Sequence, residues 1–198
     1  MDFIYLLAYG AIFGIVGIAS RFVPLFFGEG YDPVVPLLYC MVPLILIIGT
    51  SNCLGSQYFT PSGQRKRSAK VIVLGACINL CFNLLLIPRF LAYGATVASV
   101  IAELTIAVLY VQMSGGYIRW GQLWAISYRK ITAGVLMLLL IWWIGAAFPL
   151  HGVSLIILQV IAGAACYGLV LLALRDKMMT ELVHMAWGLV RKVLKKVF

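Results

Sequence analysis

Residues 71–113 read VIVLGACINLCFNLLLIPRFLAYGATVASVIAELTIAVLYVQM. Two apolar runs, 70–87 and 90–113, are parted by little more than Pro88 and Arg89. Proline removes a backbone donor and clashes with the preceding helical turn. The pair therefore predicts two helices joined by a very tight turn. Each run is close to the roughly 20 residues that cross a bilayer as a helix. Lipid offers the backbone no partners, so such segments must bond within themselves as helices.

Four more apolar runs lie outside this pair. They cover 3–20 (extendable through Phe27), 34–59 with a kink at Pro43, 131–150 and 152–174, the last two joined by a tight turn at 149–152. The whole chain has 198 residues, 64% of them hydrophobic and 11% charged, and a mean hydropathy of +1.06. A soluble domain is about 45–50% apolar and about 25% charged, so a water-soluble enzyme is excluded. Disorder is excluded by the same numbers. The expected fold is an all-α polytopic membrane protein with six transmembrane helices. It divides into four helices over 1–113, a cytoplasmic loop over 114–130, two peripheral transmembrane helices over 131–174 and a tail over 175–198.

The net charge of +9 does not indicate nucleic acid. A nucleic-acid binder needs its cations on one folded face, whereas these lie between and after the apolar runs. Counted by loop, thirteen Lys and Arg fall on one side of the predicted spans and two, Arg21 and Arg89, on the other. The positive-inside rule then predicts both termini in the cytoplasm. In the tail, Leu182, Ala186, Leu189, Val193 and Val197 recur at helical spacing, and Arg191, Lys192, Lys195 and Lys196 crowd its end. This pattern predicts a basic amphipathic helix on anionic membrane lipids. The chain opens Met1-Asp2-Phe3 without a basic leader, so no cleavable signal is expected. The five cysteines lie within apolar runs and read as small buried hydrophobes.

Function in such a chain resides in polar groups placed where lipid should be. Thr96, Ser99, Glu103, Ala107 and Tyr110 share one helix face, with Glu103 near the middle of its run. A carboxylate there must face protein or water, and two roles stay open: a cavity group, or a hydrogen bond to Asn79 or Asn83. Gly75, Asn79 and Asn83 form a stripe at four-residue spacing. The second run is polar only in its second half, where Asn52, Cys53, Ser56 and Gln57 lie. Gly10, Gly14 and Gly17 share a face suited to close helix contact, with Arg21 one turn further on. The fifth and sixth runs carry only Gln159 as an interior amide. His151 and His184 have no carboxylate at useful spacing, so neither catalysis nor a metal or other cofactor is expected.

Four blocks in order carry a family resemblance. They are Phe26-Phe27-Gly28-Glu29-Gly30-Tyr31, the basic stretch Ser62-Gly63-Gln64-Arg65-Lys66, the helix from Gly75 to Pro88 with Asn79 and Asn83, and Tyr93-Gly94-Ala95-Thr96 through Glu103. Residues 20–113 thus resemble the O-antigen and capsule polysaccharide flippases of the multidrug/oligosaccharidyl-lipid/polysaccharide exporter superfamily. The resemblance implies export of undecaprenyl-pyrophosphate-linked oligosaccharides by alternating access across a bacterial inner membrane. It also implies a two-lobed fold of twelve to fourteen helices. Six are predicted here, so the expectation is a partial transporter, completed by an amino-terminal half or by polysaccharide-assembly proteins. The cavity candidates on this reading are Glu103, Asn79, Asn83, Ser99, Thr96, Asn52, Arg89 and Arg21. Alternatives are a piece of a multidrug exporter, or a membrane scaffold or enzyme subunit.

Overall fold

A computed structural model describes residues 1–147 and 152–197, with side chains through residue 188. Among these the chain is helical and contains no strand. The helices are α1 (Asp2–Phe27), α2 (Val34–Met41), α3 (Pro43–Leu54), α4 (Arg65–Met113), α5 (Trp120–Ala147), α6 (Val153–Ala173) and α7 (Lys177–Val197), with a π-helical turn at Gly55–Phe59. The predicted tight turn at 149–152, with His151, lies almost wholly outside the described residues.

Five of the described helical stretches are long and apolar enough to cross a membrane, and one of these is the 49-residue α4. It does not run straight. Leu91 leaves the helical region (φ 48°, ψ −125°), and the chain doubles back. The Ser68 and Tyr110 hydroxyls lie 2.6 Å apart, and Gly75 faces Ile106 across the arms. Such pairings require antiparallel arms, so α4 is the hairpin that Pro88 predicts and the bundle has six apolar legs. The run 34–59 is divided where expected: α2 ends at Met41 and α3 starts at Pro43, although Val42 keeps helical angles. Many large apolar side chains point outward, among them Leu84, Leu85, Trp142 and Trp143. This surface is compatible with a multi-pass membrane protein.

The organising helix is α1, which lies between α3 on one side and α5 with α6 on the other. Its glycines allow this. Gly10 abuts the Tyr167 ring, Gly14 meets Met137, and Gly17 meets Ile141. Tyr5, Leu6 and Tyr9 of α1 join Met137, Ile141, Tyr167 and Leu171 in one buried cluster. The Tyr167 hydroxyl donates to the Leu6 carbonyl at 2.9 Å. Within this chain α5 and α6 are therefore part of the core, not the peripheral pair expected from their lack of polar residues. Polarity in the sequence reports cavities; packing between these helices is made by small and aromatic residues.

The segment 114–130 also differs from expectation. Only its first part is loop, because α5 begins at Trp120. Lys130, counted above among the loop cations, is fully buried. Its ammonium donates to Asp2 Oδ1, to Asp176 Oδ2 at 2.9 Å and to the Ile126 carbonyl at 3.2 Å. The three N–H donors are thus all used. Asp176 also accepts from the Met179 backbone N–H at 3.3 Å, which caps α7. Beside it Arg129 donates to the Arg175 carbonyl at 3.0 Å.

These contacts sort the helix ends. Met1, residues 58–68, 110–130 and 174–176 meet at one end, where Tyr58 also stacks on Tyr117. At the other end Arg21 reaches Gly145, and Tyr93 reaches Pro33. Among the described residues this partition puts Arg21 at the opposite end from Arg129 and Lys130. From the first end α7 leaves the bundle with Met178, Met179 and Leu182 against the core and Val183, Met185 and Trp187 exposed. The side chains of Arg191, Lys192, Lys195 and Lys196 lie outside the described residues.

Candidate functional site

A polar cleft of about 530 Å³ opens between the end of α3 and the arms of α4. Ligand sites commonly measure about 300–1,000 Å³, so it has room for a small molecule or part of a larger one. One wall comes from Ser51 and Asn52 of α3 and from Gly55, Ser56 and Thr60 in and after the π-helical turn. The other comes from Ser68 and Ile72 on the first arm of α4 and from Glu103, Ile106 and Tyr110 on the second.

The local sequence explains the first wall. Ser and Thr in a helix bond back to the carbonyl about one turn earlier. Ser51 Oγ donates to the Ile47 carbonyl at 3.0 Å, and Ser56 Oγ to that of Asn52 at 2.6 Å. Thr60 Oγ1 donates to the Gly55 carbonyl at 2.8 Å. With their protons used, these hydroxyls keep lone pairs for a guest. The π-helical turn adds a residue to one helical repeat and shifts the side chains that follow. It falls at the cleft wall.

Glu103 is half-buried in this cleft. Among the described residues it makes no hydrogen bond and no ion pair. The amides offered by sequence as its partners are engaged elsewhere: Asn83 Nδ2 donates to Asn79 Oδ1 at 2.7 Å, while the buried Asn83 Oδ1 has no partner. Four-residue spacing on one helix brings these two amides together more readily than across to another helix.

Of the eight cavity candidates the cleft contains two, Glu103 and Asn52. Thr96 is buried and donates to the Ala92 carbonyl at 3.0 Å. Ser99, one turn from Glu103, lies outside the lining. Arg21 sits at the opposite end, where its guanidinium donates to the Gly145 carbonyl at 2.8 Å. That carbonyl is in the last turn of α5, and a cation there complements the helix dipole. Arg21 is therefore a helix anchor. Arg89 is exposed near the hairpin apex, also away from the cleft.

Sequence reading missed Ser51, Thr60 and Ser68 in the lining. The hairpin itself holds the signal for Ser68: residues about equally distant from its apex face each other, which pairs Ser68 with Tyr110. The pairing of the buried Lys130 with Asp2 and Asp176 was also unread. Gln159, noted in the sequence as an interior amide, proves a structural group: it is fully buried and its Nε2 donates to the Ile141 carbonyl at 2.8 Å.

No family model matches the chain, nor does any curated protein or solved structure.

Proposed function

We propose that this chain takes part in moving lipid-linked oligosaccharides across a bacterial inner membrane, as part of a flippase of the polysaccharide-exporter kind. The observation that carries the reading is the cleft: hydroxyls, an amide and an unpaired carboxylate gathered within an apolar bundle. Lipid-facing polar groups are costly, so such a grouping needs a polar guest or water. Support also comes from the motif resemblance over 20–113, the stretch that supplies every lining residue. Transport rather than catalysis is proposed because the cleft has one acidic group and no nucleophile–base pair. The end bearing thirteen cations is proposed to face the cytoplasm, which makes the cleft inward-facing.

The orientation has its own check. Single cysteines at Ser62 and Gly30, in a background without native cysteines, are expected to label from the inner and outer face respectively. The opposite pattern would invert the map.

The function is tested with the full chain in lipid nanodiscs and an isoprenyl-pyrophosphate-linked oligosaccharide as ligand. Binding is expected, and Asn52→Trp, which fills the cleft from an exposed position, is expected to weaken it about tenfold or more, a loss of about 1.4 kcal/mol. Unchanged binding by a folded Asn52→Trp protein would remove the cleft from the proposal. Glu103→Gln keeps size and hydrogen bonding; a drop of about tenfold, comparable to losing one charge-assisted hydrogen bond, is expected if sugar hydroxyls donate to the carboxylate. Equal binding would show that the charge is not used.

A further inference from the structure

We infer that the cleft receives the saccharide end of a phosphorylated glycolipid while the phosphate stays outside, at the cations bordering the cleft mouth. This rests on the transport reading and gives it a direction. The lining contains no Lys or Arg. The Ser51, Ser56 and Thr60 protons are spent on helix carbonyls, and the Ser68 and Tyr110 hydroxyls bond to each other. Glu103 contributes a further acceptor, which leaves the Asn52 amide as the main donor of the lining. Such a wall attracts donors, which sugar hydroxyls and amide N–H groups supply in number. It repels a phosphate, which at neutral pH brings only acceptors and negative charge.

The cations lie one step further along the same wall. Ser68 and Ile72 line the cleft, and Arg65 precedes Ser68 by three residues, so the three share one helix face. Arg65 therefore extends the α4 wall by one turn toward the cation-rich end of the bundle. Lys66 follows it directly. Both are exposed, no acidic residue lies in that first turn, and neither has an acceptor among the described residues. Basic residues in the first turn of a helix oppose its dipole, a cost that a bound phosphate would offset. Arginine suits this role through paired N–H donors aimed at two phosphate oxygens. A guest placed this way has its sugar between α3 and α4 and its phosphate near Arg65.

A phosphate at Arg65 could come from the glycolipid or from a membrane headgroup, and the experiment separates them. The full chain is placed in nanodiscs of phosphatidylcholine alone, which lack anionic headgroups. Two probes are compared: an isoprenyl pyrophosphate bearing one N-acetylhexosamine, and the same isoprenyl pyrophosphate without sugar. Arg65→Gln is expected to weaken both probes about tenfold, the size of one charge-assisted hydrogen bond. Asn52→Leu is expected to weaken only the sugar-bearing probe. Sugar-dependent binding that ignores Arg65→Gln would overturn the phosphate placement and leave the transport reading standing. The same result, with phosphatidylglycerol enriched around the wild type but not around Arg65→Gln in a second set of nanodiscs that contain that lipid, would assign Arg65 to headgroups, which also overturns it. If folded wild-type protein binds neither probe, the transport reading fails with it.

Discussion

Lys130→Met is expected to destabilise the protein by about 3–5 kcal/mol, the usual loss when one partner of a buried ion pair is removed. Lys130 is fully buried and joins three separate parts of the chain: the first turn of α1 through Asp2, its own helix α5, and the start of α7 through Asp176. Methionine nearly preserves the volume, so the loss reports charge and not a cavity. What remains is Asp176, 5% exposed at its side chain, with its cation gone. Adding Asp176→Asn to the variant is expected to recover part of the loss, since the neutral amide is cheaper to bury and its oxygen can still accept from Met179. A second readout follows the geometry. Met178, Met179 and Leu182 hold α7 on the core next to this cluster, so a cysteine at Met179 should become more reactive in Lys130→Met. Unchanged thermal stability in detergent together with an unreactive cysteine would show that the cluster holds nothing.

The contrast between Lys130 and Pro88 shows what this sequence makes legible. Pro88 acts on its own turn, and the apolar runs beside it have their meaning in consecutive residues. The hairpin, the six legs and the small-residue face of α1 can accordingly be read directly. Lys130 looks like any cation at the end of a span. Its burial depends on Asp2 and Asp176, far away in the chain, and no local pattern records that distance. The cleft falls between these cases. Asn52 and Glu103 are visible because polar groups stand out in apolar runs. Asn79 and Asn83 stand out equally but bond to each other along one helix, and Arg21 satisfies a helix end. Polarity marks where an interaction must exist; only the packing of the helices decides with whom. The π-helical turn at Gly55–Phe59, which shapes the cleft wall, leaves no recognised sequence signature.

The hairpin on which the second wall depends is held shut at Gly94, and Gly94→Ala is expected to cost about 2–3 kcal/mol, the upper part of the range for overpacking. A β-carbon at that position would lie 2.5 Å from the Leu86 carbonyl oxygen and 2.6 Å from its carbon. These are backbone atoms on the opposite arm, so no rotamer change relieves the contact and the arms must separate. Separation propagates along the hairpin to the Ser68–Tyr110 hydrogen bond and to Glu103, which rides on the second arm. Gly94→Ala should therefore weaken the proposed glycolipid binding although the residue lies far from the cleft. Leu91→Gly is the counterpart. Leu91 occupies φ 48°, ψ −125°, a sparsely populated backbone region that costs a non-glycine residue about 1–3 kcal/mol, and the residue is 73% exposed, so little packing is lost. Glycine there is expected to stabilise the hairpin by about 1 kcal/mol and to leave binding intact. Opposite signs for two substitutions three residues apart would be difficult to obtain from general tolerance of the loop. If both variants unfold at the wild-type temperature, the arms do not close at Gly94, and the α4 wall of the cleft would need a different origin.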